Sequence, residues 1–380
     1  MWEDAEKVFF LGAEVYGFGL YAALGAAVAL IVLIALLRRA GWKKGTAPLT
    51  GVLALTAGFT VSRLFLCFLA QNDLSGPMPF QGIFMVTAGG YSMMGALIGA
   101  SMGAIAAARI TRQSPARLLD YLAPCLMLFV ACERLGEGYG EAGELFGVGR
   151  ELTDGFLGHS FLAVQDGSSS FLAIYLLESF TALVLALVLV RDLNRGIRNG
   201  DTYVLMMLLF GGTQVVYESL RSDGHMISTL NSFVKVQQVI AILLVLAAVI
   251  VLCRRQKTEK RLLWRWLIPS LLVLGGLGYG LFALTRHHLG SVAAEALIYI
   301  AAAAVPVGVG IFALLRKKYL APAALSSLLL AAGYCIGTEF GIDGATVSRL
   351  LLYALYTAAI AVPVCLGVLL RKEGAARGEA

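Results

Sequence analysis

Residues 16–39 read YGFGLYAALGAAVALIVLIALLRR: an aromatic and glycine opening, an unbroken apolar run, and two arginines at the end. A helix of about 20 apolar residues is the length that crosses the hydrocarbon core of a bilayer. Cations gathered just past such a helix mark its cytoplasmic end. The same pattern recurs along the chain. About eleven apolar segments of spanning length start near Tyr16, Leu49, Met85, Leu118, Phe171, Tyr203, Val236, Leu267, Ala293, Ala323 and Leu350. Each odd-numbered segment is followed by a basic cluster: Arg38, Arg39, Lys43 and Lys44; Arg109, Arg112 and Arg117; Arg191, Arg195 and Arg198; Arg254, Arg255, Lys257, Lys260 and Arg261; Arg316, Lys317 and Lys318; and Arg371 with Lys372. The intervening loops, such as 71–80, are poor in Lys and Arg. The expected fold is therefore all-α: a polytopic membrane helix bundle of about eleven transmembrane helices, N-terminus outside and C-terminus cytoplasmic. A small irregular extracytoplasmic segment is expected after the fourth helix.

Composition agrees with this reading. Of the 380 residues 59% are hydrophobic and 14% charged, with a mean hydropathy of +0.80; soluble domains carry about 25% charged residues. The net charge of +6 sits in helix-end clusters rather than along one face, so no nucleic-acid partner is expected. Met1 to Lys7 mixes acids and bases and does not make a signal-peptide n-region, so the first apolar helix is expected to stay as an anchor. The six cysteines, Cys67, Cys125, Cys132, Cys253, Cys335 and Cys365, form no CxxC pair. They read as small buried hydrophobes rather than as a disulfide frame or a zinc site.

An internal repeat divides the chain. Gly278-Tyr279, Ala304-Val305-Pro306-Val307 and Leu314-Leu315-Arg316-Lys317 recur as Gly333-Tyr334, Ala361-Val362-Pro363-Val364 and Leu369-Leu370-Arg371-Lys372. The period of about 55 residues fits one helical hairpin duplicated in the same orientation. With the charged break at Arg254–Arg265, this predicts a seven-helix core over 1–255 and a four-helix membrane extension over 256–380.

Against this hydrocarbon background one polar stretch stands out. Residues 132–147, CERLGEGYGEAGELFG, place four glutamates, an arginine and five glycines directly after an apolar helix. Ionisable side chains at membrane depth are costly and mark functional sites by default. Arg134 either snorkels to the outer headgroups or offers its planar fork to an anionic group. The surrounding glutamates and glycines, which snorkelling does not call for, favour the second reading. Glu133, Glu137, Glu141 and Glu144 have helical spacing, but the interleaved glycines make a continuous helix poor. Glu137 and Glu141 read as a solvated acidic lip, and Glu144 as a functional group or a partner of Arg134. The glycine spacing has no preceding strand and faces outside, which excludes a nucleotide loop. Farther along, Glu218 and Arg221 lie three residues apart at the outer end of the sixth span, where they would share a helix face and could pair. Arg63 is isolated in the second span, which favours a site or ion-pair role over snorkelling. Gly89, Gly90 and Ser92 form a glycine turn into the third span. His159 and His225 face outside, but no triad partner is visible for either.

These blocks, in their order, resemble the bacterial prolipoprotein diacylglyceryl transferases. The family signature is roughly Gly-Arg-Leu-Gly-Asn-Phe-x-Asn-Gly-Glu-x-x-Gly. Arg134-Leu135-Gly136 and Gly143-Glu144-Leu145-Phe146-Gly147 look like its two halves with about two extra residues between them. Phe18-Gly19 resembles the early Tyr-Gly block, Ser62-Arg63-Leu64 the Gly-Arg-Ile/Val block, and Gly89-Gly90-Tyr91-Ser92 the Gly-Gly-x-Ser block. Glu218 and Arg221 resemble the late Glu-x-x-Arg, and Gln238 falls at Met-Gly-Gln. The resemblance covers residues 15 to 255. It implies a multi-pass enzyme of the bacterial plasma membrane, acting at the outer leaflet. Such an enzyme moves the diacylglyceryl group of phosphatidylglycerol to a prolipoprotein cysteine thiol, releases glycerol phosphate, and needs no metal or other cofactor.

On that resemblance Arg134, Glu144 and Glu218 take catalytic roles. Arg134 binds or polarises the phosphoglycerol, and the two glutamates orient arginines. Arg63, Gly89, Gly90, Ser92, Gly136, Gly147, Arg221 and Gln238 line the substrate site. The partners implied are phosphatidylglycerol or another anionic lipid, and the prolipoprotein. Four positions depart from the pattern. Met94 stands where the family has histidine, Gln214 where it has a second arginine, and Glu137 where it has asparagine; residues 166–170 have no His-Pro-Ser-Gln block. These departures leave a non-catalytic lipid- or lipoprotein-binding paralogue as the alternative. The duplicated hairpins leave a transporter as a third reading.

Overall fold

The computed structural model describes residues 7–10, 13–70, 91–139, 147–152, 160–166, 169–195, 198–222, 236–255, 292–338 and 357–372. Helices dominate: α1 (Gly17–Arg39), α2 (Thr46–Ala70), α3 (Met93–Ile110), α4 (Pro115–Gly136), α5 (Ile174–Leu193), α6 (Asp201–Leu220), α7 (Val236–Arg255), α8 (Val292–Leu315), α9 (Leu320–Thr338) and α10 (357–372). Among the described residues six of them, α1, α2, α3, α5, α6 and α7, are long and apolar enough to cross a membrane. The protein is thus a helical, multi-pass membrane protein. The segment expected near Leu267 lies outside the described residues, as do Met85 and Leu350, where two further segments were placed.

Local chemistry explains several boundaries. Ser114 caps α4 by accepting from Arg117 N at 3.5 Å, and Pro115 occupies the first helical position, where a missing N–H is no loss. Ser92 caps α3 by accepting from Gly95 N at 3.3 Å. Arg38 and Arg39 lie in the last turn of α1, where cations complement the helix dipole.

Two places differ from an all-helical expectation. β1 (Lys7–Phe10) and β2 (Ala13–Tyr16) pair antiparallel ahead of α1. The segment after α4 is not irregular throughout. β3 (Val148–Leu152), β4 (Ala163–Asp166) and β5 (Ser169–Ala173) form an antiparallel sheet in the order β3-β5-β4. Four- or five-residue strands carry little periodic signal. Backbone hydrogen bonding, which a segment between two spans must still satisfy, selects the sheet.

The chain divides into two compact units: Met1–Met206 with Leu220–His225, and Met207–Ser219 with Met226–Ala380. In the first, α4 is central. It packs against α1, α3 and α5, while α2 packs on α3. Its buried face runs from Leu118 through Asp120, Met127 and Val130 to Arg134 and Gly136. Gly136 permits the α1–α4 approach, because a Cβ there would lie 3.1–3.2 Å from Phe18 and Tyr21 atoms. In the second unit, Gly211 of α6 packs on Val245 and Ala241 of α7, and Gly212 on Val364 of α10. α9 packs against both α7 and α8. Of the described cysteines, Cys125 and Cys253 are buried as expected, whereas Cys132 is half-buried and Cys365 exposed.

Candidate functional site

Five charged side chains meet where α4 and α6 end and α5 begins. The last turn of α4 supplies Glu133 and Arg134, and the 3-10 turn Glu137–Tyr139 that follows it supplies Glu137. The second turn of α5 supplies Glu178. Arg221 lies one residue past α6. It is positioned by its neighbour Ser222, whose N–H and hydroxyl both donate to Val148 O of β3 at 2.9 Å. Ser179 ties α5 to α4 by donating to Ala131 O at 2.6 Å.

Two carboxylates bridge the two guanidinium groups. Glu178 Oε2 lies 2.9 Å from Arg134 Nε and 2.9 Å from Arg221 Nη1. Glu137 pairs with Arg134 Nη1 through Oε1, and its Oε2 accepts from Arg221 Nη1 at 3.0 Å. Glu133 sits farther off, with Oε2 3.8 Å from Arg134 Nε. Arg134 is 2% exposed and Glu178 1%. Removing either would therefore leave a buried charge without its partner, which typically costs about 3–5 kcal/mol. With three carboxylates on two guanidiniums, the cluster has a formal charge of 2 − 3 = −1. Among the described residues four of its buried atoms lack a hydrogen bond; Arg134 Nε still faces Glu178 Oε2 at 2.9 Å, which leaves Arg134 Nη2, Glu133 Oε2 and Glu178 Oε1 without a close partner.

Gly147 closes one side. Its φ is +68°, and a Cβ there would meet Glu137 Oε2 and lie 2.7 Å from Tyr175 Cβ. Glycine is thus required twice at this position, for the backbone conformation and for the room that Glu137 occupies. Gly147 O accepts from Tyr175 N at 2.8 Å, joining the sheet to the start of α5.

Arg134, Arg221 and Gly147 come together around this cluster, whereas Gly136 faces Phe18 and Tyr21 of α1. Glu137, expected as a solvated lip, is instead the bridge between the arginines, because the helical course continues from α4 into the 3-10 turn and keeps Glu137 beside Arg134, three residues back. Arg221 lies just past the end of α6 at Leu220, and its guanidinium reaches Glu137 and Glu178. Glu178 was not anticipated at all; the available signal was a lone carboxylate inside an apolar helix.

A second grouping lies at the start of α3. Arg63, 1% exposed, sits with Cζ 5.5 Å from the ring centroid of Tyr91, a cation–π distance. Beside it Ser62 donates to Ser92 O at 2.7 Å. Glu218 and Gln238 are each 1% exposed and belong to the second unit, where Gln238 Nε2 donates to Val215 O at 3.4 Å. Gly89, Gly90 and Glu144 lie outside the described residues.

Residues 6–254 match the family described as prolipoprotein diacylglyceryl transferase. The chain belongs to that family. Among its relatives, a phosphatidylglycerol–prolipoprotein diacylglyceryl transferase of Bacillus licheniformis is 27% identical over 248 residues, spanning 64% of this chain and 88% of that protein. The protein of that name from Staphylococcus saprophyticus is 23% identical over 257 residues, covering 63% and 84%. One from Bacillus velezensis is 30% identical over 182 residues, covering 46% and 65%. The charge cluster falls wholly within the matched span. So do the two departures from the family pattern that lie in helices, both buried: Met94 in the first turn of α3 and Gln214 in α6.

Proposed function

We propose that this protein is the membrane transferase its relatives are named for. It moves the diacylglyceryl group of phosphatidylglycerol to the cysteine thiol of a prolipoprotein. The observation that carries the reading is the pairing of Arg134 and Arg221 through Glu137 and Glu178, inside the span that matches the family. Transfer to a thiol leaves a phosphate monoester, and fixed guanidinium donors aimed at developing phosphate charge are the electrostatic device such a step needs. In this reading Arg134 and Arg221 hold the phosphoglycerol, and Glu137 and Glu178 orient them. Arg63, Gly89, Gly90, Ser92, Gly136, Gly147 and Gln238 line the lipid and peptide paths, while Glu144 and Glu218 orient arginines.

The topology belongs to the same proposal. The basic clusters after odd-numbered spans support about eleven spans, with the N-terminus and the β3–β5 sheet outside and the C-terminus in the cytoplasm of a bacterium. The family match ends at residue 254, which supports a seven-helix core over 1–255 and an added four-helix extension over 256–380.

The test is transfer of labelled diacylglycerol from phosphatidylglycerol vesicles to a lipobox peptide by purified protein. Robust transfer that is lost in Arg134→Lys supports the reading; no transfer above that variant rejects it. One observation favours a second reading, a binding paralogue: the cluster already neutralises both arginines, and Gln214 stands where the family has an arginine. It predicts lipid binding without release of glycerol phosphate. Measured release excludes it.

A further inference from the structure

We propose that Glu133 takes the proton of the acceptor thiol during transfer; the role rests on the transferase function proposed above. The hydrogen-bonding inventory of the cluster leads to it. A buried polar atom left unpaired carries the full cost of its lost hydration. Yet Arg134 Nη2, Glu133 Oε2 and Glu178 Oε1 are all left so. Such capacity faces something other than the protein itself. The donor suits a phosphate oxygen. The two acceptors are carboxylate oxygens, and a thiol that must become a thiolate needs one of them.

Distance decides between the carboxylates. Glu178 and Glu137 each touch both guanidiniums, so two cations hold each negative charge in place. Glu133 approaches one guanidinium, at 3.8 Å. Coulomb attraction falls with distance, so Glu133 is the member whose charge is least tied down. It is also the carboxylate in excess: protonating it brings the cluster from −1 to neutral and leaves both bridges between the arginines in place. The groups facing it are Arg134 and Glu137 from its own end of α4, Glu178 from α5 and Arg221 beyond α6. α1 brings only Tyr21 to this end, and the one charged residue of α3, Arg109, lies at its far end.

The step balances. The S–H bond breaks and its proton passes to Glu133 Oε2. The sulfur electron pair forms a bond to the glyceryl methylene carbon. The bond from that carbon to the phosphate oxygen breaks, and its electron pair leaves on glycerol phosphate, whose charge Arg134 and Arg221 stabilise. Glu133 then releases its proton to solvent or to the departing phosphate.

The test is the pH dependence of transfer to a lipobox peptide from phosphatidylglycerol vesicles, for wild type and Glu133→Gln, from about pH 6 to about pH 9.5. Loss of a general base lowers the rate about 10²–10⁴-fold near neutrality. The variant should then recover about tenfold per pH unit as the thiol ionises unaided, levelling near its own pKa of about 8.5. With a selenocysteine acceptor, already ionised, the gap between variant and wild type should close. Glu133→Ala asks the same question if Glu133→Gln is not recovered as a monodisperse protein. A uniform loss at every pH, or a rate within about twofold of wild type at pH 7, overturns the role. Absence of transfer in the wild type overturns the transferase reading instead.

Discussion

The two ends of α4 bury carboxylates in opposite ways. At its start, Asp120 is 5% exposed, and both of its oxygens are used: Oδ2 accepts from Gly200 N at 2.6 Å and Oδ1 from Tyr203 N at 3.0 Å. Nearby, Tyr203 donates to Ser101 at 2.7 Å and Thr202 to Asp192 at 2.9 Å. At the other end, Glu133, Glu137 and Glu178 surround two arginines, with three polar atoms left over. A buried polar group whose bonds are all made within the protein fastens helices together. One that keeps unused donors and acceptors has room for a ligand. Asp120 caps the free N–H groups at the start of α6 and so fixes that helix to α4. The arginine cluster is where chemistry is expected.

Experiments can break that contrast. The largest effect is expected from Arg134→Lys, which keeps the charge but loses the fork. Transfer should fall about 10²–10³-fold, the cost of one misplaced donor to a developing anion, in a protein that remains folded. A variant with wild-type rates would move the site elsewhere. Next, Asp120→Ala should destabilise by about 1–3 kcal/mol, because the α6 N–H groups lose their acceptor. Its KM for lipid and its rate per folded molecule should not change. Loss of activity without loss of melting temperature would show that this end is not merely structural. Gly147→Ala combines a strained backbone, worth about 1–2 kcal/mol, with displacement of Glu137, so it should lower both stability and kcat. The lowered kcat separates it from Asp120→Ala. Smallest is Tyr203→Phe, which removes one neutral hydrogen bond; a stability loss of about 0.5–1.5 kcal/mol and unchanged kinetics are expected. A kinetic defect there would blur the distinction between the two ends.

Much of this architecture was readable from residue order. The apolar periodicity located the described spans to within a few residues, except α3. That helix begins at Met93 rather than near Met85. Ser92 explains the difference: its side chain caps the helix start, a signal that an apolar-window reading passes over. The sheet was missed because its strands are short. Arg134 was legible because an arginine set among glutamates and glycines directly after an apolar helix is rare. Glu137 was hard to place because glycines flank it and, although Arg134 lies three residues back, its second partner, Arg221, is 84 residues away in number (221 − 137).

By itself, the order of residues determined that this is a helical, multi-pass membrane protein. It also determined where the helices run and that Arg134 is exceptional among them. Burial of apolar side chains and the siting of cations at helix ends are local properties, and each can be summed along the chain. Tertiary structure alone decided which carboxylates answer the arginines. The Arg134–Glu137 pair, three residues apart, follows the chain's own spacing, but the contacts of Glu178 and Arg221 join groups on different elements, and no spacing within one helix encodes them. Glu178, silent within an apolar stretch, and Arg221, just past α6, joined Arg134 and Glu137 only when α4, α5 and the end of α6 were brought together.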